Sequence, residues 1–261
     1  FCTRYILSSK HLERGSECRC CGMQKKDVGI FNKYFLDSSL RSFFVLIYGR
    51  KYIKILNNNK INILVLTHFQ KKFMKRIGIR NKNISIHRNF LETEDYSVND
   101  ITENYLTYAG RISTEKGVED LIKAFNNVSI DNLKLKILGD GPDFSRLSNI
   151  YNSENIEFLG QVSNSETLNI IKKSIAVVTA TRLYEGQPTL LCEASILGIP
   201  AIFPQNEGIQ EFFPKDYDLT FDYKSQTDLE NKLKLSSNKE NFKKIGLKNR
   251  EHLIELINEK A

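Results

Sequence analysis

Glu185 and Glu193 stand with seven residues between them in Glu185-Gly-Gln-Pro-Thr-Leu-Leu-Cys-Glu193. The pair spans a strand-to-helix turn: an apolar run, Ile175 to Thr181, leads in, and a helix opening at Pro188 leads out. Proline suits the first helical position because the N–H it lacks has no partner there. The helix is expected to close at Gly198, before a strand over Ile199 to Phe203. Such a turn presents free backbone N–H groups and the positive end of a helix dipole, a setting suited to a phosphate. Glu185, ahead of the helix, would orient a ligand at the mouth. Glu193, one to two turns inside, would accept bonds from hydroxyl groups. Two solvated acids on a surface helix are the alternative for any lone glutamate pair, so the other loops decide.

Three of those loops carry glycine at the end of an apolar strand. Gly110-Arg-Ile-Ser-Thr-Glu-Lys-Gly117 places Arg111 and Lys116 around the start of a helix. Two cations oppose the helix dipole there, and they make sense if an anion such as a diphosphate sits between them. Arginine would bind two oxygens side by side and lysine would act as a point charge. A solvated basic loop is the alternative. Leu138-Gly-Asp-Gly-Pro142 supplies Gly139, Asp140 and Gly141, where small residues let the backbone turn tightly and approach a ligand. It begins like a dinucleotide fingerprint, but Phe144 stands where a third glycine is required, which disfavours a nicotinamide oxidoreductase. Phe158-Leu-Gly-Gln-Val162 gives Gly160, whose backbone could meet a flat base or simply turn.

These loops need a framework, and the chain alternates strand and helix from Asn104 to Tyr223. Strands are expected over Tyr105–Ala109, Leu133–Leu138, Ile156–Leu159 and Ile175–Ala180. Helices are expected over Gly117–Val128, Phe144–Tyr151 and Ser165–Lys173. That rhythm predicts an α/β fold with a parallel sheet, helices on both faces and ligands at the carboxyl ends of the strands. Ahead of it, Ser38–Leu56 and the basic Phe69–Ile77 read as helices, and Ile61–Leu66 and Ile84–Ile86 as strands, the tail of a second α/β unit. Residues 1–90 are assigned to that unit, 91–103 to an acidic polar linker, 104–224 to the ligand-binding domain, and 225–261 to charged helices packing back on the body.

Composition narrows the function classes. With 41% hydrophobic and 26% charged residues the 261-residue chain reads as an ordinary soluble protein. No apolar run approaches the ~20 residues of a membrane span. The net charge of +7 fits a phosphorylated substrate or an anionic lipid surface. No basic stretch interleaves with aromatics in the manner of a nucleic-acid site. Cys2, Cys18, Cys20 and Cys21 include a Cys-x-x-Cys spacing, but no second pair follows, so structural or adventitious thiols compete with a zinc site completed by Cys2 and His11. Cys192 reads as a small core residue, His68 and His87 as strand-end residues that could touch an acceptor, and His252 as part of a solvated helix face. Phe1 is not a methionine, and a longer gene product is expected.

The order of the motifs is more specific than any one of them. Gly-Arg…Glu-Lys-Gly, Gly-Asp-Gly-Pro, Phe-x-Gly-x-Val, Glu-x7-Glu and Gly-Ile-Pro, over Tyr105 to Phe213, resemble the C-terminal donor-binding domain of family 4 glycosyltransferases with the GT-B fold. Ile63 to Lys71 and Ile86 to Asn89 look like the closing elements of that family's N-terminal domain. The resemblance implies two Rossmann-like lobes, the first incomplete, and transfer of a sugar from a nucleotide-diphosphate donor to an acceptor hydroxyl with retention of configuration. It implies phosphate contacts by Arg111 and Lys116, and a place for Glu185 beside the donor sugar. Amides of Gly186, Gln187, Thr189 and Leu190 would meet the diphosphate or sugar, with Gly110, Gly139, Asp140, Gly141 and Gly160 lining the pocket. Glu193 would bind the ribose hydroxyls. Many members have Phe-Gly after the first glutamate; here Gly186-Gln187-Pro188-Thr189 follows, and Pro188 removes one amide from the turn.

The expectation is therefore a retaining hexosyltransferase with a nucleotide sugar as substrate and no cofactor or metal. A sugar or lipid-linked acceptor is expected, as in cell-surface polysaccharide or glycolipid synthesis, with no nucleic acid as partner. The expected location is the cytoplasm or the inner face of the plasma membrane. A truncated, non-catalytic nucleotide-binding module is the alternative.

Overall fold

The computed structural model describes residues 38–76, 79–89, 91, 103–183, 185–205 and 207–258. Cys2, His11, Cys18, Cys20 and Cys21 lie outside them, as does most of the 91–103 segment. The chain divides into two compact units, Phe1–Asn89 and Phe90–Ala261.

In the first unit, α1 (Ser39–Leu56) is followed by β1 (Ile63–Val65), α2 (His68–Arg76) and β2 (Ile84–Ile86). The two strands pair in parallel with Ile63 opposite Ile84. Ile53, Ile63, Val65, Met74, Ile79 and Ile84 form a small core. The buried Asn81 amide donates to the carbonyls of Leu56 and Ile61 at 3.0 and 2.8 Å, so the turn between α1 and β1 is closed by a satisfied polar group.

The second unit is built on a six-stranded parallel sheet. Its strands are β3 (Tyr105–Ala109), β4 (Lys134–Leu138), β5 (Ile156–Gly160), β6 (Ala176–Val178), β7 (Ala201–Pro204) and β8 (Thr220–Phe221). Between them run α3 (Val118–Asn126), α4 (Phe144–Tyr151), α5 (Asn164–Lys173), α6 (Thr189–Ile196) and α7 (Glu207–Gln210). The chain closes with α8 (Gln226–Lys234) and α9 (Lys239–Asn258).

Hydrophobic spacing explains the layers. In α3, Val118, Leu121, Ile122 and Phe125 recur at helical intervals and are all buried, while Glu119 and Asp120 complement the positive end of its dipole. The centre of the sheet is apolar on both faces, and successive residues divide between two cores. Ala176, Val178 and Ile202 face Leu121, Leu229 and Phe242; Val177, Ala201 and Phe203 face Leu191, Phe212 and Leu253. Helices therefore cover both faces, as the alternation predicts.

Three details differ from expectation. Leu91, assigned to the linker, is buried in the second of these cores. The helix after Glu185 begins at Thr189, because Pro188 is extended (φ −79°, ψ 99°) and caps it rather than opening it. His252, expected in solvent, is half-buried with Nε2 enclosed, since it lies next to Leu253, which packs inward.

The strand order is β5-β4-β3-β6-β7-β8. The chain builds outward from β3 through β4 to β5, then returns to the middle and builds the other way from β6. The order reverses between β3 and β6, and a crevice opens at the carboxyl ends of strands at such a reversal.

Candidate functional site

The loops leaving β3 and β6 flank this reversal, and they carry Arg111, Lys116 and Glu185. Lys116 Nζ donates to Glu185 Oε1 at 2.6 Å, with both side chains about a quarter exposed (27% and 24%). Residues 69 positions apart thus meet over the point where the sheet order turns. The Thr181 hydroxyl donates to the same Oε1 at 3.1 Å. Arg111 is directed elsewhere: its guanidinium pairs with Glu115 and is 60% exposed, so the pair adds little to stability.

The framework holding these groups is backbone packed on backbone. Gly110 N–H donates to Leu138 C=O at 3.0 Å, Ile112 N–H to Asp140 C=O at 2.9 Å, Gly139 N–H to Gly160 C=O at 2.7 Å, and Arg182 N–H to Glu115 C=O at 3.0 Å. Gly117, beside Lys116, is left-handed (φ +68°), and a Cβ there would lie 2.1 Å from the Ala180 carbonyl oxygen. Gly139 has φ +121°, and a Cβ would lie 2.0 Å from the Gly110 carbonyl oxygen. Loop-on-loop contact alone thus requires these glycines; for Gly139 the sequence suggested a tight turn and close approach to a ligand. Asp140 Oδ1 accepts from Gly141 N–H at 2.7 Å and closes the turn before α4. Phe144, at the position of the absent third glycine, packs its ring edge-on against Phe158 with centroids 6.0 Å apart, so that position belongs to the packing of α4 on β5.

The helix entering from Glu185 has an open start. Gly186 is half-buried, Gln187 is buried, and Pro188 caps α6 without a side-chain bond to its first amides. Thr189 is exposed and Leu190 half-buried at the helix tip. Glu193, the fifth residue of α6, is half-buried, and among the described residues none bonds its carboxylate. Burial holds its carboxyl above the usual range, the response of an acid that has lost water and gained no donor. Behind the site, the Tyr108 hydroxyl donates to Arg111 C=O at 2.8 Å. Burial, and next the charge of Glu185, pushes that phenol well above its ordinary value, so it stays a neutral donor.

Thr181, Glu115 and Tyr108 were not singled out from the sequence. A hydroxyl four residues ahead of Glu185, at a strand end, was the available signal. A separate cavity, lined by Asp120, Ala180, Arg182, Tyr223 and Gln226, contains none of the predicted site residues.

The comparisons agree with this architecture. The sequence profile of the family described as glycosyl transferases group 1 matches residues 92–256. The amylovoran biosynthesis glycosyltransferase AmsD of Erwinia amylovora is 30% identical over 172 residues, 62% of this chain and 48% of AmsD. The chain spans about half the length of AmsD and of an uncharacterized glycosyltransferase of Methanocaldococcus jannaschii that it also matches. Staphylococcus aureus TarM, solved as a G117R mutant with Fondaparinux, alpha-GlcNAc-glycerol and UDP, superposes with a TM-score of 0.67 at 24% identity, over 80% of this chain and 43% of TarM. Anabaena HepE, solved with UDP-glucose, gives 0.66 at 14% identity, over 87% of this chain and 67% of HepE. The solved structures it resembles are GT-B glycosyltransferases. With its sheet reversal, its Glu-x7-Glu turn and a family match over most of its length, the chain belongs to the glycosyl transferases group 1 family.

Proposed function

We propose that this chain carries the donor-binding half of a glycosyltransferase that moves a hexose from a nucleotide diphosphate to an acceptor hydroxyl with retention of configuration. The observation that carries this reading is one juxtaposition. The Lys116–Glu185 pair lies over the sheet reversal, next to a helix start with no side-chain cap and a half-buried glutamate that no described residue bonds. A nucleotide sugar complements each part. Its diphosphate suits Lys116, Arg111 and the first amides of α6; its sugar suits Glu185; its ribose hydroxyls suit Glu193.

The chemistry follows from charge. As the glycosidic bond breaks, negative charge grows on the diphosphate and positive charge on the anomeric carbon. Lys116, Arg111 once turned from Glu115, and the helix start stabilise the first, and Glu185 orients the sugar or stabilises the second. The protein's own cations meet the leaving group, so the reading calls for no metal. No covalent nucleophile is assigned.

For the acceptor, the same proposal places a sugar or lipid-linked hydroxyl in cell-surface polysaccharide synthesis, a reading supported by similarity to AmsD, which is named for amylovoran biosynthesis. No described helix is long and apolar enough to cross a membrane. Peripheral contact at the inner face of the plasma membrane fits α1, where Phe43, Phe44 and Tyr48 are exposed on a helix that also carries Lys51 and Lys54. The test is calorimetric titration with UDP, the nucleotide present in the TarM structure. Glu193→Ala should weaken binding about tenfold or more, while Arg111→Ala should lower turnover of the full-length protein most. Unchanged affinity in both variants removes the site assignment.

A further inference from the structure

We infer that Thr181 is a positioning residue for Glu185, holding its carboxylate in place when Lys116 turns to the diphosphate. This rests on the donor-site reading above.

Two donors meet one oxygen. Glu185 Oε1 receives Lys116 Nζ at 2.6 Å and Thr181 Oγ1 at 3.1 Å, and no described residue bonds Oε2. Both donors cannot serve equally once a donor substrate arrives. Lys116 sits on a flexible four-carbon stem, and a diphosphate presents more negative charge than a single carboxylate. The ammonium is therefore drawn toward the diphosphate, and its bond to Oε1 weakens.

Thr181 is held in a different way. It is buried, with 3% of its surface exposed. Its neighbours are pinned by main chain: the Ala180 carbonyl faces Gly117, and Arg182 N–H donates to Glu115 C=O. Its hydroxyl oxygen accepts from Leu183 N–H at 3.2 Å. A hydroxyl carries a single proton and an ionised carboxylate carries none. With the Leu183 N–H filling an acceptor site of the hydroxyl, the Thr181 proton is left to Oε1. The bond direction is thus fixed by the loop, independent of Lys116. Thr181 keeps Oε1 anchored, and Oε2 is left for a hydroxyl of the donor sugar.

The consequence separates sugar recognition from nucleotide recognition. UDP alone has no sugar for Glu185 to hold, whereas UDP-glucose does. Thr181→Val keeps the shape and removes the hydroxyl. It should leave UDP affinity within about twofold and cut the advantage of UDP-glucose over UDP by about tenfold, the loss expected for one charge-assisted hydrogen bond. Thr181→Ser should restore most of that advantage. Glu185→Gln should lose it as well, and Thr181→Val added to Glu185→Gln should lose little more, because the two act as one unit. Thr181→Ala serves the same comparison if valine at this buried position prevents folding.

Calorimetry of the whole chain with UDP, UDP-glucose, UDP-galactose and UDP-N-acetylglucosamine reads all of this. A Thr181→Val protein with the wild-type ratio of affinities overturns the proposal, as does a Thr181→Ser protein no better than Thr181→Val. Additive losses in the double variant overturn it too. A wild-type chain that binds UDP but gains nothing from any of the three sugars removes the sugar contact and the proposal together. A wild-type chain that does not bind UDP at all overturns the donor-site reading itself.

Discussion

Replacing Gly117 by alanine probes the framework under the site more sharply than removing a charge. Gly117 follows Lys116 and lies against the loop that carries Glu185. Two costs add. A residue with a Cβ in the left-handed region loses about 1–2 kcal/mol. The new Cβ would stand 2.1 Å from the Ala180 carbonyl oxygen, far inside contact distance, and the obstacle is backbone rather than a movable side chain. Such overpacking costs about 1–3 kcal/mol. The sum, about 2–5 kcal/mol, is a large part of the ~5–15 kcal/mol that holds a typical domain together. Relief must come from separating the two loops, which pulls Lys116 away from Glu185. Urea unfolding followed by circular dichroism, with UDP calorimetry on the same preparations, measures both effects. A Gly117→Ala protein that loses under ~1 kcal/mol and binds UDP as the wild type does would show that the loops do not depend on this contact.

Other outcomes follow from the same geometry. Glu193→Gln should raise stability relative to the wild type at neutral pH. Burial raises the folded carboxyl above its ordinary 4.5, so wild-type stability is fullest below that value and declines as pH rises through the folded pKa, a loss glutamine escapes. Hydroxyl donors favour the ionised carboxylate, so wild-type UDP affinity should fall as pH drops through that raised pKa, and the Glu193→Gln protein should fall less, keeping only the part due to the titration of the UDP phosphate; parallel profiles would sever Glu193 from the nucleotide. Gly246→Ala should destabilise by about 1–3 kcal/mol, because its Cβ would lie 2.1 Å from the Gly198 carbonyl oxygen where α9 crosses the end of α6; an unchanged urea midpoint contradicts that packing. Glu119→Gln should flatten the acid limb of stability. Its carboxyl, bonded by Arg146 and Lys123, is held at about 2, and the stability it contributes is lost as pH falls from its ordinary 4.5 toward that value.

How far the sequence foretold this depends on distance along the chain. Elements were legible where burial imposes a period: Val118, Leu121, Ile122 and Phe125 announce α3, and the unbroken apolar run through Val177 and Val178 announces a strand covered on both faces. Ends were less legible, because Pro188 satisfies the requirements of both a cap and a first helical residue, and only its ψ of 99° separates them. The order of strands leaves no local mark, so the reversal between β3 and β6 had to be seen in the fold. Lys116 and Glu185 were identifiable by residue type and by strand-end position, but their contact across 69 residues was not. Gly139 was noticed as letting the backbone turn and approach a ligand; the fold adds that at 117 and 139 neighbouring backbone excludes a side chain. Thr181 was passed over because a threonine ending a β-rich run already has an explanation in strand propensity.

The central claim is that a nucleotide diphosphate sits over the sheet reversal, between Lys116 and the start of α6. A crystal structure of the chain grown with UDP tests it directly. The account predicts phosphate oxygens within hydrogen-bond reach of Lys116 Nζ and the first amides of α6, ribose hydroxyls on the Glu193 carboxylate, and a Lys116–Glu185 separation longer than the present 2.6 Å. UDP bound instead in the cavity beside Arg182 and Gln226, with the Lys116–Glu185 pair intact, would contradict it.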